Sequence, residues 1–213
     1  MKRIFIFVLL VVIACVPKAQ AQADDVGSWL SIQANKSLNR CYAMARLEYR
    51  AYDNLGATEC YFVMAGGGYN FTKWLKADLS YEFWKLPSSA GATKHKGVAV
   101  VTGSLSQGAL TLAWREKYEI SFDADGSIGH TLRSRLRAQY RFGKVPITPY
   151  VMYEFFNGFG GRGWVRSLHY AGTEIRLGRH SALDVFYMYN LHPQTGGGTT
   201  GCHTFGVGYS FSF

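Results

Sequence analysis

Beyond its first sixteen residues the chain has no apolar run approaching the ~18 residues that a membrane-crossing helix requires, so that class of membrane protein is excluded. No segment reads as a helix: Leu132, Leu136 and Tyr140 recur at i, i+4, but Arg135 and Ala138 then fall on the wrong sides. Cysteines are few, at positions 15, 41, 60 and 202, and no two have a zinc-ligand spacing. His180 and His192 lack ligand spacing too, so no metal or other cofactor is expected. The triplets Gly66-Gly67-Gly68 and Gly196-Gly197-Gly198 are not phosphate loops, because neither leads into Lys-Ser/Thr or a helix. The first lies within a strand pattern, where a missing side chain allows close packing. The second reads as a loop tip.

What is present is alternation. From Thr204 to Phe213 the chain places Phe205, Val207, Tyr209, Phe211 and Phe213 on one face, and Thr204, Gly206, Gly208, Ser210 and Ser212 on the other. A period of two is a strand signature. Chain ends usually fray, so a long apolar-faced strand ending on Phe213 needs a reason. Closure of a membrane barrel supplies one, since an open edge in lipid leaves backbone groups unpaired. The strand also resembles the terminal signal by which outer-membrane barrels are recognised for assembly. At the other end, Lys2 and Arg3 precede an apolar stretch from Ile4 to Val16 and an Ala19-Gln20-Ala21 site, the pattern of a cleaved secretory signal over residues 1–21. A competing reading makes Val12-Ile13-Ala14-Cys15 a lipidation box.

Residues 22–213 then form one domain. A mean hydropathy of −0.05 suits a barrel, in which lipid-facing and lumen-facing residues cancel. Aromatics at 15% and 24 glycines fit aromatic girdles and tight turns. Without the leader, 20 basic residues face 14 acidic ones, a balance of +6. Arginines dispersed along strands of an exported chain argue against nucleic acid as the partner. An oxidising compartment permits a disulfide, and Cys60 and Cys202 both fall near the outer strand ends, with Cys41 left over.

Eleven segments alternate, and ten of them precede the terminal strand: 27–35, 40–53, 59–71, 74–86, 95–105, 109–121, 130–142, 147–156, 165–178 and 181–191. Short turns at 36–39, 70–73, 105–108, 143–146 and 178–181 alternate with longer stretches at 53–58, 87–94, 122–129, 157–163 and 192–201. That pattern predicts a transmembrane antiparallel β-barrel of about 10–12 strands, with short periplasmic turns and longer extracellular loops. Bacterial single-chain barrels have even strand numbers, so two arrangements are open. Either ten strands from Arg40 to Phe213 close the wall, with Gly27–Asn35 lying inside or pairing irregularly, or twelve do.

The order of several pieces carries a family resemblance. They are Trp29, Arg46-Leu-Glu-Tyr-Arg50 with Asp53-Asn54, Gly67-Gly-Tyr-Asn-Phe71, Leu132–Phe142, Pro149–Asn157 and the terminal strand. Together they resemble the DUF2490 family of Gram-negative outer-membrane barrels. The resemblance implies a place and a fold, and no established reaction.

Chemistry is expected in the lumen. Arg133, Arg135, Arg137 and Arg141 share one strand face, and Arg46, Arg50, Arg115 and Lys117 repeat the pattern elsewhere. Buried guanidiniums need partners. Glu119 and Glu154 are the nearest candidates, with Glu48, Asp78, Glu82 and Glu174 in support. The ladder reads either as a charged plug in a structural barrel or as a narrow anion-preferring channel for small acidic solutes such as acidic sugars. An alternative is a lipid-modifying enzyme, a hydrolase or acyltransferase acting on lipid A or phospholipid. Its candidate residues are Ser167 and His169, with Glu174 of opposite parity unless Gly172 forms a bulge. The ladder outweighs it, and no catalysis is expected. Partners would be outer-membrane lipid, with lipopolysaccharide held through Lys94 and Lys96 or Arg162 and Arg166, and the barrel-assembly machinery at Phe213.

Overall fold

The alternating segments form eleven strands in the computed structural model, which describes residues 25–213 except 88, 90, 91, 162, 195 and 196. They are β1 (Asp25–Leu38), β2 (Cys41–Tyr52), β3 (Ala57–Asn70), β4 (Leu75–Leu86), β5 (Ala92–Gln107), β6 (Leu110–Asp123), β7 (Ile128–Tyr140), β8 (Ile147–Gly158), β9 (Gly163–Arg176), β10 (Ser181–Pro193) and β11 (Thr199–Ser212). Each pairs with its sequence neighbours, and β1 meets β11 to close the barrel. The signal segment, Cys15 and Arg162 lie outside the described residues.

Closure is where the sequence reading and the structure part. Gly27–Asn35 is not inside the lumen, and no twelfth strand is present among the described residues; it pairs irregularly, as a wall strand parallel to the last one. With an odd number of alternating strands, the first and last point the same way. They therefore pair in parallel, from Asp25 opposite Cys202 to Asn35 opposite Ser212. The Phe213 N–H donates to the Asn35 carbonyl at 3.0 Å and extends the pairing to the chain end. A parallel ladder is slightly weaker per residue than an antiparallel one, yet it leaves no edge open.

Five connections lie at the end away from Phe213, called here the loop end: residues 53–56, 87–91, 124–127, 159–162 and 194–198. They are shorter than the sequence suggests, because the flanking strands continue into segments that read as loop. Tight geometry at both ends uses residues suited to positive φ, such as Asn39 (φ 59°) between β1 and β2 and Asp53 and Asn54 (φ 54° and 53°) after β2. Asp25 braces the second of these turns by accepting the Asp53 and Asn54 N–H groups at 3.0 and 2.8 Å.

The wall is inside-out relative to a soluble domain. Leu30, Ile32, Leu79, Leu136 and Phe205 are exposed, whereas Glu48, Arg50, Glu82, Lys117, Arg133 and Glu154 are buried. The terminal strand obeys its predicted faces, with Phe205, Val207, Tyr209, Phe211 and Phe213 outward. Its small inner face does not leave an open gap along its whole length, as the sequence alone would suggest. The Phe186 ring of β10 lies over Gly206, where a Cβ would fall inside the ring. Phe186 and Trp29 pack against a buried cluster of Tyr150, Met152, Phe156, Leu168, Tyr170 and Met188.

Candidate functional site: a charged lumen

Strand alternation sends Arg115, Lys117 and Glu119 of β6 and Arg133, Arg135 and Arg137 of β7 to the same interior. The register then sets like charges directly opposite each other, Arg115 against Arg135 and Lys117 against Arg133. Such cross-strand pairs repel. What stabilises them is a set of carboxylates on β4 and β8 to either side and on β6 itself.

Glu154 of β8 is fully buried and collects three guanidiniums: Arg135 at 2.8 Å, Arg133 at 3.0 Å and Arg115 at 3.3 Å. Glu119 accepts from Arg133 at 2.6 Å and Lys117 at 2.8 Å, and lies 3.3 Å from Lys96 of β5. Glu82 of β4 takes Lys117 at 2.9 Å and the Trp84 indole N–H at 2.9 Å. A continuous network thus runs from β4 to β8. Arg133 also lies over the Phe156 ring at 4.2 Å, and Arg166 of β9 stacks on that ring at 4.3 Å.

A second cluster sits on β1–β4. The Arg50 Nε donates to Glu48 at 2.7 Å while its guanidinium lies over Trp29 at 3.8 Å and Trp84 at 4.9 Å. Such stacking suits arginine, whose planar charge is weakly hydrated. Arg46 donates its Nε to Gln33 at 2.8 Å and reaches Glu48 at 3.6 Å. The two clusters sense each other across the lumen: Arg50 interacts electrostatically with Arg166, and Arg46 with Arg115 and with Asp184 of β10.

The sequence-predicted residues therefore fall into groups. Arg115, Lys117, Glu119, Arg133, Arg135 and Glu154 form one network, and Arg46, Glu48 and Arg50 another. Arg137 faces the lumen apart from both, over Tyr150 at 3.9 Å and 3.9 Å from Glu174. Arg141 does not belong to the ladder. It lies beyond the end of β7, exposed, and its backbone N–H donates to the Ala109 carbonyl. On its other side the pairing of β7 with β8 ends at Gln139, so its side chain sits at an open rim.

Other expectations need correction. Lys94 and Lys96 face inward, to Asp123 at 2.9 Å and to Glu119, and Arg166 also faces inward, over the Phe156 ring. Ser167 and His169 face outward, Ser167 buried opposite Phe155 and His169 opposite Tyr153. Glu174 faces the lumen, because the β9–β10 register runs unbroken past Gly172. No hydrolytic triad forms from these three. Cys60 and Cys202 remain free thiols, Cys60 in a cluster with Phe62 and Trp84 and Cys202 beside Asp25. Among the described residues no group of His, Cys, Asp and Glu side chains is arranged to hold a metal ion.

Several participants went unread in the sequence. Lys96 and Trp84 share the inward parity of their strands, a signal that was there to find. Asp184, which accepts from the Tyr150 hydroxyl at 2.9 Å, carried no such signal apart from its strand position.

The profile of a family described as a protein of unknown function, DUF2490, matches residues 26–200. The chain belongs to the DUF2490 family. As a DUF2490 barrel it is similar in fold to a solved structure described as the NanC porin in a rhombohedral crystal form. The TM-score is 0.53 at 13% identity, covering 90% of this chain and all of that one. At that identity the likeness concerns the fold. No curated protein matches the sequence.

Proposed function

We propose that this DUF2490 barrel lies in the outer membrane, with Phe213 at the periplasmic side, and provides a narrow, anion-preferring path for small acidic solutes. The solved porin of similar fold supports a channel-type reading of the barrel. The observation that carries the charge preference is the arginine set at the edge of the network. Arg115, Arg135 and Arg137 each have a buried Nε without a hydrogen-bond partner among the described residues. Buried donors left unpaired are costly, and a carboxylate passing the β6–β8 wall satisfies them. Arg46 adds positive charge from the opposite arc, within electrostatic reach of Arg115. Charged rings of one sign in a confined lumen select the opposite ion.

The lumen is crowded by the buried network and the Phe186 cluster, so unit conductance is small. The inner face at Gly208 and Ser210, partly exposed below Phe186, borders the remaining space. An enzymatic role gains nothing from the outward Ser167 and His169. The C-terminal strand, ending in a Phe213 that pairs with β1, serves as the segment read by the assembly machinery.

Purified protein in planar bilayers under a salt gradient tests this reading. A reversal potential biased toward the anion is expected, and Arg135→Glu with Arg137→Glu should abolish or invert the bias. Silence at every voltage would refute it.

A further inference from the structure

In the run Lys94-His95-Lys96 the lysines face the lumen and His95 faces out, and that outward placement recurs around the barrel. Each of the five hairpins that turn at the loop end bears an outer-face ring pair. The first member is always a tyrosine on the strand rising to the loop. The pairs are Tyr49–Tyr61, Tyr81–His95, Tyr118–His130, Tyr153–His169 and Tyr187–His203, with ring centroids 5.2, 6.0, 6.1, 5.0 and 5.8 Å apart. Four of the five descending partners are histidines.

In three pairs the phenol is hydrogen-bonded to the imidazole Nδ1: Tyr81 with His95, Tyr118 with His130 at 2.8 Å, and Tyr187 with His203 at 2.5 Å. In those three the direct cross-strand partners of the tyrosines are Gly97, Leu132 and Phe205. The histidine stands two residues nearer the loop end, so each imidazole caps its phenol on that side.

Tyrosines at the rim of an apolar band are ordinary interfacial chemistry, one end apolar and one end wet. The imidazoles need a further reason. With the phenol O–H donating to Nδ1, the neutral ring carries its proton on Nε2, on the side away from the tyrosine. Where the phenol donates, each of these three hairpins presents an Nε2–H donor on its outer face near the loop end, and His169 adds a fourth ring.

We propose that His95, His130, His169 and His203 form a belt that hydrogen-bonds the phosphate groups of a phosphorylated glycolipid in the outer leaflet. The assignment rests on the orientation given above, which puts the loop end in that leaflet. A phosphate monoester carries close to two charges and three strong acceptor oxygens, which suits donors that reach it singly from separate hairpins. A phospholipid diester offers less charge and fewer acceptors to each of them.

Native mass spectrometry of detergent-solubilised protein tests the belt. The probes are bisphosphorylated lipid A, the same lipid A after phosphatase treatment, and phosphatidylglycerol. Wild type should retain the bisphosphorylated form about tenfold better than either other lipid, the factor expected for one charge-assisted hydrogen bond. The variant His95→Phe/His130→Phe/His203→Phe keeps the rings and should lose that preference. Equal retention of all three lipids by wild type, or an undiminished preference in the variant, overturns the proposal. If the triple variant does not insert, Tyr118→Phe with Tyr187→Phe removes only the orienting hydroxyls and should weaken the preference severalfold; no change overturns it. Lipid retention is read without any current, so a failure of the channel reading and a failure of the belt are told apart.

Discussion

Replacing Glu154 with glutamine removes one charge from the most buried point of the lumen and keeps the side chain's shape. Glu154 is fully buried and binds three guanidiniums, but the three do not lose equally. Arg133 keeps Glu119 at 2.6 Å, so its charge stays compensated. Among the described residues Arg135 and Arg115 form ion pairs with Glu154 alone, and their side chains are 22% and 26% exposed, so both can partly rehydrate. Breaking a fully buried ion pair costs about 3–5 kcal/mol, and partial rehydration places this change near the lower end, about 3 kcal/mol. The amide oxygen still accepts one hydrogen bond, which pulls the figure the same way. Urea unfolding of the refolded barrel in lipid vesicles, followed by the loss of heat-modifiable gel mobility, measures it. The double variant Glu154→Gln/Arg135→Met should cost less than the sum of the single changes, because it removes a charge and its counter-charge together. In bilayers, Glu154→Gln should raise the anion bias by releasing Arg115 and Arg135. A loss of stability under about 1 kcal/mol, the net value of an ordinary hydrogen bond, would refute the view that Glu154 holds the network together, as would additive costs in the double variant.

Three further outcomes are expected. Gly206→Ala should destabilise the barrel by about 1–3 kcal/mol, the usual cost of overpacking, since the new Cβ meets the Phe186 ring; a combined Phe186→Leu change should recover part of it in the same urea assay. In the folded protein Cys41, which is exposed, should react with a maleimide while buried Cys60 stays protected, and oxidant should produce no Cys60–Cys202 crosslink on a non-reducing gel. Deleting Phe213 removes the hydrogen bond to Asn35, the stacking on Phe211 at 5.8 Å and the Lys36 contact at 4.7 Å. Folding into vesicles should slow, and an unchanged folding rate would show that the parallel closure does not depend on the last residue.

The period-two pattern was enough to read a barrel, because a strand fixes the side of each residue by parity alone. That is why Phe205 to Phe213 could be placed outward and Arg133, Arg135 and Arg137 inward before any coordinates. Parity was also enough to place Arg46, Glu48, Arg50, Arg115, Lys117, Glu119 and Glu154 in the lumen. It is not enough at strand ends, as at Arg141, whose backbone still bonds to Ala109 but whose side chain is exposed where the β7–β8 pairing has ended, and no side-chain pattern marks that point.

Only the tertiary structure decided the rest. Which carboxylate meets which guanidinium depends on the stagger between strands, so Glu154 serving three arginines at once was invisible in a linear chain. The parallel β1–β11 seam arises from an odd number of strands meeting the need to leave no edge unpaired, a condition on the whole sheet that no single segment encodes. The Tyr–His pairs join residues twelve to sixteen positions apart across hairpins, and their recurrence on the outer face appears only once the strands are paired. Local alternation determined which way each side chain points. Register and closure determined what it meets there.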